Sequence, residues 1–493
     1  MGNNPPPLFS WRSAMGDCLD FYVDGAWVKP AKGSRLLDVI NPATEQVSGR
    51  VALGGADDAV RAIQAAAKAF PAWAATPLAE RLEILAKVTA GYERRLDEIA
   101  EAISLEMGAP LERLAKPAQA RAGLGHFKTA LSLAKTYAFE RRQGTTLVVK
   151  EPVGVVSLIT PWNWPMNQIA CKVAPALAAG CAMVLKPSEF APYSARILAE
   201  IIHEAGVPAG VFNMVFGDGA EIGPVLSSHP LVDMVSLTGS NLAGSSVMRE
   251  GAATIKKVSL ELGGKSANII CDSADFKKAI GHAVKAMMGN TGQSCNAPSR
   301  LFVPAHRLDE AEGLAAELCA QIKVGDPSDP ETVMGPIANG RQFDKVRRMI
   351  RTGMEEGAKL VCGGPERPEG LDKGYFVRPT VFSRVTDAMT IMREEIFGPV
   401  LSMRGYADLD DAVAGANDCV YGLSGYVYAG DLDEARAVAR RLRTGMVHLN
   451  GALSHPGGPF GGIRQSGVGR EWGEAGFEEF LESKTLFGSE PKE

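Results

Sequence analysis

Paired cysteines are missing from this chain. Its eight cysteines are spread over 493 residues, and no two of them form a Cys-x-x-Cys pair. This scatter argues against a disulfide scaffold and a zinc ribbon, so we predict free thiols and no bound metal. An excess of basic residues is missing too, since the formal net charge is −5. A chain of this charge lacks the electrostatic footprint of a nucleic-acid partner.

A hydrophobic run long enough to cross a bilayer is also missing. The longest apolar stretch, residues 169–185, is interrupted by Lys172 and Pro175, and it predicts a buried helix followed by a strand. The first residues lack the basic flank and apolar core of a secretory signal. We therefore expect no membrane partner and a cytoplasmic location.

What the sequence does contain is a globular composition, with 46% hydrophobic and 22% charged residues. From about residue 147, short apolar runs alternate with helical segments. These runs are Val153–Ile159, Ala182–Leu185, Val211–Phe216, Val232–Leu237, Ala267–Ile270 and Leu301–Val303. Such alternation predicts an α/β fold in which helices cover both faces of parallel sheets. A second α/β half is predicted from about Leu260 to Leu449.

Two segments carry residues suited to covalent catalysis. Cys295 lies in the small, polar segment GQSCN, where an exposed thiolate would be a nucleophile; the alternative is an inert buried thiol. Glu261 lies in LELGGK at the end of an apolar run. Burial there would raise the pKa of the carboxyl group and suit a general base. The alternative is an ion pair with Lys265 or Lys257.

A third segment, TPWNWP, follows the first apolar run and contains Asn163. Ligands of open α/β sheets collect at the carboxyl ends of strands, where an Asn amide can donate to a developing oxyanion. The alternative is a rigid aromatic turn in which Asn163 bonds its own backbone.

Three further segments suggest a dinucleotide. Lys186 and Glu189 can bind ribose hydroxyls, and the Glu189 carboxylate would repel a 2′-phosphate. The glycines of 217–223 miss the G-x-G-x-x-G pattern by one residue. Thr238–Ser240 can offer backbone N–H groups to a phosphate at a helix start. For each segment the alternative is an ordinary strand-to-helix turn.

Several segments occur together in a recognisable order. PWNWP, KPSE, LTGS, LELGGKS, GQSC, EEIFGPV and PFGGIRQSG run from Pro161 to Gly467, and Glu261 stands 34 positions before Cys295. In these segments the sequence resembles the aldehyde dehydrogenase superfamily, and the flanking regions extend the resemblance over nearly the whole chain.

The resemblance implies a set of catalytic residues. Cys295 matches the nucleophile of the family and Glu261 its general base. Asn163 matches the side chain that forms the oxyanion hole with the backbone N–H of the nucleophile. Lys172 and Glu471 match positions of a proton relay around the base.

The resemblance also implies binding residues. The expected cofactor-binding positions are Ile159, Thr160, Trp162, Lys186, Ser188, Glu189, Gly219, Gly239, Ser240, Leu262, Gly263, Glu395 and Phe397. The residues expected at the substrate entrance are Trp164, Gln168, Cys171, Asn296, His455 and Phe460. The sequence departs from the family at Leu237, where Phe is usual, at Asn241-Leu242, and around His455, so the particular aldehyde stays open.

The implied architecture has three parts. A Rossmann-like, parallel-sheet NAD-binding domain would span residues 1–132 and 152–262, and a second α/β catalytic domain residues 263–465. A small β oligomerisation arm would combine residues 133–151 with 476–493. This arm leads us to expect a homodimer or a homotetramer.

The implied reaction is oxidation of a small-molecule aldehyde to its carboxylic acid, through a cysteine thiohemiacetal and a thioester. Glu189 favours NAD as the cofactor and leaves NADP open. One alternative is a CoA-acylating aldehyde dehydrogenase, and another is a catalytically silent homologue that keeps the fold. A thiol hydrolase that uses His448 or His455 is a third reading, although nothing in the sequence pairs either histidine with Cys295.

Overall fold

The computed structural model describes residues 15–31 and 33–489. The outer ends of the predicted domains, residues 1–14 and 490–493, lie outside the described residues, as does Lys32. The strands are β1 Phe21–Val23, β2 Ala26–Val28, β3 Arg35–Asn41, β4 Gln46–Leu53, β5 Glu140–Gln143, β6 Thr146–Pro152, β7 Val155–Ile159, β8 Ala182–Lys186, β9 Phe212–Met214, β10 Met234–Thr238, β11 Lys257–Glu261, β12 Ala267–Ile270, β13 Arg300–Pro304, β14 Lys359–Cys362, β15 Thr380–Ser383, β16 Val400–Tyr406, β17 Ser424–Tyr428, β18 Met446–Leu449, β19 Gly467–Val468 and β20 Leu481–Leu486. The α-helices are α1 Ala56–Ala75, α2 Leu78–Arg94, α3 Leu96–Met107, α4 Arg121–Thr136, α5 Pro165–Ala179, α6 Pro192–Glu204, α7 Gly219–Ser228, α8 Asn241–Ala252, α9 Phe276–Met288, α10 Leu308–Ala320, α11 Gly340–Glu355, α12 Thr390–Arg393, α13 Leu409–Asn417, α14 Leu432–Ala439 and α15 Gly473–Glu478, and a π-helix spans Leu111–Ala120.

The first sheet has eight strands in the spatial order β19-β11-β10-β7-β8-β9-β1-β2. Its central strands β11, β10, β7, β8 and β9 run parallel. Every residue of β7, β8 and β10 is buried, as expected for strands that helices cover on both faces. The predicted α/β fold class is confirmed.

The strand order of this sheet reverses between β7 and β10. From β7 the chain continues to β8 and β9 on one side, and it then places β10 and β11 on the other side. Ile159 at the end of β7 pairs with Leu237 of β10 and with Lys186 of β8. The residues that follow these strands therefore share one edge, where parallel sheets hold their ligands.

The second sheet has seven strands in the order β14-β15-β16-β13-β12-β17-β18, and β14 alone among them is antiparallel to its neighbour. Separate apolar clusters cover its two faces. Only residues 262–266 connect β11 of the first sheet to β12 of the second. Within this connection Gly264 packs so closely that a Cβ would lie 2.4 Å from the backbone oxygen of Cys295. The carboxyl end of the first sheet thus meets the amino end of the second.

A small antiparallel sheet joins the last strand, β20, to β5 and β6. Its order is β20-β6-β5, and β20 pairs with β6 along its whole length, from Leu481 opposite Pro152 to Leu486 opposite Leu147. Beyond Leu481, the residues of β20 are exposed. Phe487, which follows this strand, exposes 84% of its surface.

The buried helix α5 follows the carboxyl end of β7 and packs against β7 and β8. It begins with Pro165, whose missing N–H costs nothing in the first turn, and it ends at Gly180 with φ of 100°. All of its residues are buried, including Lys172. The helix and the following strand β8 confirm the prediction made for residues 169–185.

Within the described ranges, no helix has the length and apolar character needed to cross a membrane. The same ranges contain no cluster of three His, Cys, Asp or Glu side chains arranged to hold a metal ion. All eight cysteines are free.

Candidate active site

A cleft of about 660 Å³ opens beyond the carboxyl ends of β10 and β11. Its lining comprises Pro161, Trp162, Asn163, Thr238, Gly239, Ser240, Glu261, Leu262, Gly263, Cys295, Gln342, Lys345, Glu395 and Phe397. Most of these residues are catalytic or cofactor-binding positions predicted from the sequence. The fold therefore brings segments from six separate parts of the chain into one cavity.

The loop that leads to Cys295 has an unusual backbone. Residues 290–292 have φ values of 50°, 54° and 67°, in the left-handed region that non-glycine residues rarely adopt. Gly292 admits no side chain, because a Cβ there would lie 2.2 Å from the carbonyl oxygen of Gly398. The tight packing against the segment around Gly398 thus sets where the loop turns toward the cleft.

Cys295 and Asn296 occupy the centre of a turn. The N–H of Ala297 closes this turn by donating to the carbonyl oxygen of Ser294 over 3.0 Å. The indole N–H of Trp164 donates to the Ser294 hydroxyl over 2.8 Å. Cys295 therefore lies in a turn, and the residue before it, Ser294, is hydrogen-bonded to Trp164 beyond the end of β7.

Asn163 is a buried side chain that reaches across to the same loop. Its Nδ2 donates to the backbone oxygen of Gln293 over 3.0 Å. The backbone oxygen of Asn163 accepts from Nδ2 of Asn290, also over 3.0 Å. The alternative in which Asn163 bonds its own backbone is therefore not what the structure shows. Because an amide nitrogen carries two hydrogens, one remains for a ligand in the cleft.

The Cys295 thiol is half-buried at the cleft. Burial raises the pKa of this thiol well above its ordinary value, and the carboxylates of Glu261 and Glu395 raise it further. The backbone N–H of Asn296 acts in the opposite direction. Burial and the two carboxylates thus disfavour the thiolate in the resting protein.

Glu261 ends β11 and is 2% exposed. Neither of its carboxylate oxygens has a hydrogen-bond partner among the described residues. Burial raises the pKa of this carboxyl group well above its ordinary value, and the nearby Glu471 adds to the effect, whereas Lys172 and Arg470 oppose it. The predicted alternative, an ion pair with Lys265 or Lys257, does not form.

Lys172 and Glu471 form a buried ion pair beside Glu261. The Lys172 ammonium also donates to the Thr238 hydroxyl over 2.7 Å, and the Cys171 thiol donates to Glu471 over 3.2 Å. Burial disfavours the charged amine, but the facing carboxylate prevails and the pKa of Lys172 is raised. The pair therefore supplies fixed charges next to the cleft.

The segment EEIFGPV contributes one carboxylate and one aromatic ring. Oε1 of Glu395 accepts from the backbone N–H of Gly264 over 3.0 Å. Gly263 has no room for a side chain, since a Cβ would lie 2.5 Å from the same carboxylate. Phe397, with φ of 59°, packs edge-on against Trp162 with ring centroids 5.6 Å apart.

The first turn of α8 borders the cleft. The Ser240 hydroxyl caps this helix by accepting from the N–H of Ala243 over 3.2 Å. At Gly239 a Cβ would meet nothing closer than 3.8 Å, so the backbone here is open to a ligand. The side chain of Leu262 packs against Gly244 on the same helix. Free N–H groups at a helix start suit a phosphate.

The remaining predicted cofactor positions lie outside the lining of the cleft. Lys186 ends β8, where its ammonium donates to Glu189 over 2.9 Å, and the buried Ser188 lies between them in sequence. Ile159 ends β7, and the buried Thr160 hydroxyl after it has no partner in the described chain. Gly219 is exposed at the first position of α7, separate from the cleft.

Two predicted substrate residues adjoin the nucleophile, namely Trp164 and Asn296. Gln168, one turn into α5, is buried, and its Oε1 lacks a partner in the described part of the chain. Cys171 is buried on the same helix, where its thiol donates to Glu471, and the last two positions lie on the C-terminal segment. Phe460 is buried with its ring 4.5 Å from that of Trp472, and His455 is exposed in the loop before it.

Sequence reasoning missed two cleft residues on α11. Nε2 of Gln342 donates to the carbonyl oxygens of residues 396 and 397 over 2.9 and 2.8 Å. Nζ of Lys345 donates to the backbone oxygen of Glu395 over 2.8 Å. Both brace the segment EEIFGPV, but they stand on an ordinary amphipathic helix, so no motif marks them in the sequence.

A thiol, an amide donor and an unpartnered buried carboxylate meet at the switch point of a parallel sheet. These features define an α/β enzyme that works through a covalent cysteine adduct beside a nucleotide crevice. The chain belongs to the aldehyde dehydrogenase family, whose model matches residues 27–486. The family predicted from the sequence is confirmed.

Individual relatives of this chain are also aldehyde dehydrogenases. The chain is 58% identical over 476 residues to a 3-succinoylsemialdehyde-pyridine dehydrogenase from a Pseudomonas species, covering 97% of this chain and 100% of that one. Aldehyde dehydrogenase C from Pseudomonas syringae, solved as a mutant with NAD+ and octanal, has a TM-score of 0.95 and 49% identity, with 97% and 98% coverage. Betaine aldehyde dehydrogenase from Staphylococcus aureus, solved with NAD+, has a TM-score of 0.94 and 35% identity, with 98% coverage of both chains.

Proposed function

We propose that this chain oxidises an aldehyde to its carboxylic acid with NAD, and that Cys295, Glu261 and Asn163 carry the reaction. The observation that supports this assignment is the convergence of these three side chains on one cleft. Family membership supports the same reaction. The solved relatives hold NAD+, and one also holds an aldehyde.

The cleft residues fit a dinucleotide. Gly239 offers open backbone at the start of α8, and the carboxylate of Glu395 faces the cleft with a backbone N–H as its hydrogen-bond partner. Ser240 and Glu395 would hold the phosphate and ribose parts, and Phe397 with Trp162 would flank the ring. When bound, NAD supplies the hydride acceptor of the reaction.

Attack on the aldehyde begins at the Cys295 sulfur. The sulfur bonds to the carbonyl carbon, its proton leaves to water in the cleft, and the carbonyl oxygen becomes an oxyanion. The free amide hydrogen of Asn163 and the backbone N–H of Cys295 would stabilise this oxyanion. Loss of hydride from the same carbon leaves a thioester on Cys295.

Hydrolysis of the thioester needs a base, and Glu261 suits that role. Its raised pKa makes it a stronger proton acceptor than an exposed carboxylate. Neither of its oxygens is hydrogen-bonded to another described residue. Glu261 would take a proton from water as the water oxygen attacks the acyl carbon. The acid then leaves and the thiol is regenerated. Lys172 and Glu471 would adjust the proton affinity of this base through their charges.

Cysteine variants test the assignment. Cys295→Ala should abolish NADH formation from any aldehyde, whereas Cys362→Ala, which alters the other half-buried thiol, should leave it unchanged. NADH formation at the wild-type rate by Cys295→Ala would refute the assignment. The substrate screen should include octanal, betaine aldehyde and a pyridyl semialdehyde, which the named relatives suggest.

The CoA-acylating alternative makes a different prediction. If a thiol rather than water took the acyl group, CoA would accelerate steady-state NADH formation and acyl-CoA would accumulate. We expect neither, because Glu261 provides a base for water. A protein that binds NAD but reduces none with any aldehyde would instead be a silent homologue.

Glu189 supports NAD over NADP. Its carboxylate is paired with Lys186 at the end of β8. The neighbouring strand β7 leads to residues 161–163, which line the cleft. A 2′-phosphate near this carboxylate would be repelled. Within the same proposal, Ile159, Thr160, Ser188, Gly219, Leu262 and Gly263 would complete the cofactor site.

We also propose that the eight-, seven- and three-stranded sheets correspond to the three predicted parts of the chain and that the three-stranded sheet joins copies of the protein. The exposed residues of β20 and the apolar Phe487 support this assembly. Sedimentation of the full chain would distinguish a monomer from a dimer or tetramer. The eight free thiols support a reducing, cytoplasmic location.

A further inference from the structure

Tyr426 is a tyrosine of the second sheet that contacts the nucleophile's turn. It lies on β17, between β12 and β18. Its hydroxyl donates to the backbone carbonyl oxygen of Asn296 over 2.9 Å. Asn296 directly follows Cys295, so this hydrogen bond holds the turn from the side opposite to the first sheet.

The peptide groups on either side of Asn296 have different partners. A hydrogen bond from its N–H lowers the pKa of the Cys295 thiol, against the larger effect of burial. Its carbonyl group is held by Tyr426. Because the two groups belong to one residue with only two soft dihedral angles, fixing the carbonyl limits how far the N–H can rotate away from the sulfur.

His448 fixes the tyrosine ring in turn. The two rings stack with centroids 4.6 Å apart and an interplanar angle of 11°. Nδ1 of His448 lies 2.9 Å from the carbonyl oxygen of Ala452, and since that oxygen only accepts, Nδ1 carries the hydrogen. The tyrosine hydroxyl is therefore held by a ring whose own orientation is set.

On the side of the first sheet, Trp164 anchors the residue before Cys295. On the side of the second sheet, the Tyr426 hydroxyl anchors the residue after it. The nucleophile thus sits between two side-chain anchors from different sheets. A loop that carries a reacting atom requires such support, because small displacements of that atom slow the reaction.

We propose that Tyr426 is a positioning residue for Cys295, acting through the Asn296 peptide and oriented by the stacked His448. This inference rests on the proposed function only in taking Cys295 as the nucleophile. Tyr426 does not touch the reacting atoms. Its contribution is to hold the Asn296 N–H on the sulfur when the thiolate forms.

Tyr426→Phe is the direct test, because it removes the hydroxyl and keeps the ring and its stack. Tyr428→Phe is the matched control. Tyr428 lies two residues further along β17, with its side chain on the same face, and its hydroxyl makes no hydrogen bond within the described residues. Both variants keep the aromatic packing, so both should fold.

The first measurement is the rate at which iodoacetamide alkylates Cys295 in the protein without substrate, followed by mass spectrometry of the peptide that contains it. Loss of one hydrogen bond should slow alkylation by Tyr426→Phe about 3- to 10-fold at neutral pH. The pH profile of alkylation should move to higher pH, since the thiolate loses support. Tyr428→Phe should match wild type in both respects.

The second measurement is the pre-steady-state formation of NADH. Tyr426→Phe should slow this phase by a similar factor while KM for the aldehyde stays unchanged. Wild-type alkylation kinetics in Tyr426→Phe, or an equal loss in Tyr428→Phe, would overturn the proposal. If the wild-type protein forms no NADH with any aldehyde, the proposed function fails, but the alkylation comparison still decides the role of Tyr426.

Discussion

The substitution Glu261→Gln separates the two halves of the proposed reaction. Gln has nearly the same shape as Glu, so the change removes the negative charge and the proton-accepting oxygen and little else. Hydride loss from the Cys295 adduct does not require this base, whereas thioester hydrolysis does. We therefore expect a burst of one NADH per active site, followed by very slow turnover.

The structure indicates how large the effect should be. Glu261 is 2% exposed, and in the described structure neither of its oxygens is hydrogen-bonded, so both are available to accept a proton from water. A positioned general base contributes about 100- to 10,000-fold. Steady-state turnover of the variant should fall within this range, while the burst amplitude should equal that of the wild type.

The pH dependence follows from the raised pKa of Glu261. The base must be ionised to act, so wild-type turnover should fall as pH decreases through this pKa, and the variant should lack that fall. The same shift affects stability. A carboxyl group whose pKa is raised in the folded protein favours folding while protonated, and this contribution is lost as pH rises through the folded value. Glu261→Gln should therefore melt at a higher temperature than wild type at alkaline pH.

Stopped-flow absorbance of NADH measures the burst and the slow phase in one experiment. Thermal unfolding of both proteins checks that the variant is folded. Turnover by Glu261→Gln at the wild-type rate would show that another group activates the water, and the reasoning from burial would be wrong. A lost burst with intact folding would place Glu261 in the first half of the reaction instead.

Three further changes follow from the contacts described. Asn163→Ala removes a side-chain oxyanion donor and should lower kcat about 100- to 1,000-fold, measured in the steady state with saturating NAD; an unchanged kcat would exclude that role. Glu189→Gln removes the charge that opposes a 2′-phosphate and frees Lys186. The kcat/KM for NADP should therefore rise about tenfold relative to that for NAD. An unchanged ratio would show that other residues set the preference for NAD over NADP. Arg300 donates to the carbonyl oxygens of residues 265, 415 and 416. Arg300→Met should therefore lower the free energy of unfolding by about 3 kcal/mol, measured by chemical denaturation. Wild-type stability of this variant would contradict the prediction.

The sequence predicted the secondary structure best where burial was uniform. The apolar run Val153–Ile159 corresponds to β7, and the interrupted run of residues 169–185 to α5 and β8. Strands that helices cover on both faces must be apolar throughout, so their pattern survives in the sequence. Irregular pieces such as the π-helix Leu111–Ala120 and the two-residue strand β19 left no such pattern, because their conformations depend on neighbours distant in the chain.

The segments that line the cleft were recognisable because their chemistry limits the residue types they can use. The close approach of Gly263 to Glu395 and of Gly292 to Gly398 leaves no space for a side chain. The sulfur, carboxylate and amide likewise have few substitutes. Gln342 and Lys345 escaped detection because they act by contacting backbone oxygens, for which many residue types would serve.

The sequence by itself determined the α/β class, the family and the candidate reacting side chains, because each depends on residue type and local spacing. Only the tertiary structure decided that Glu261 stays without an ion-pair partner, that Lys172 faces Glu471, and that Tyr426 reaches the turn beside Cys295. The last two relations join residues more than a hundred positions apart in the chain. They depend on how distant segments pack together, and no local pattern in the chain encodes that packing.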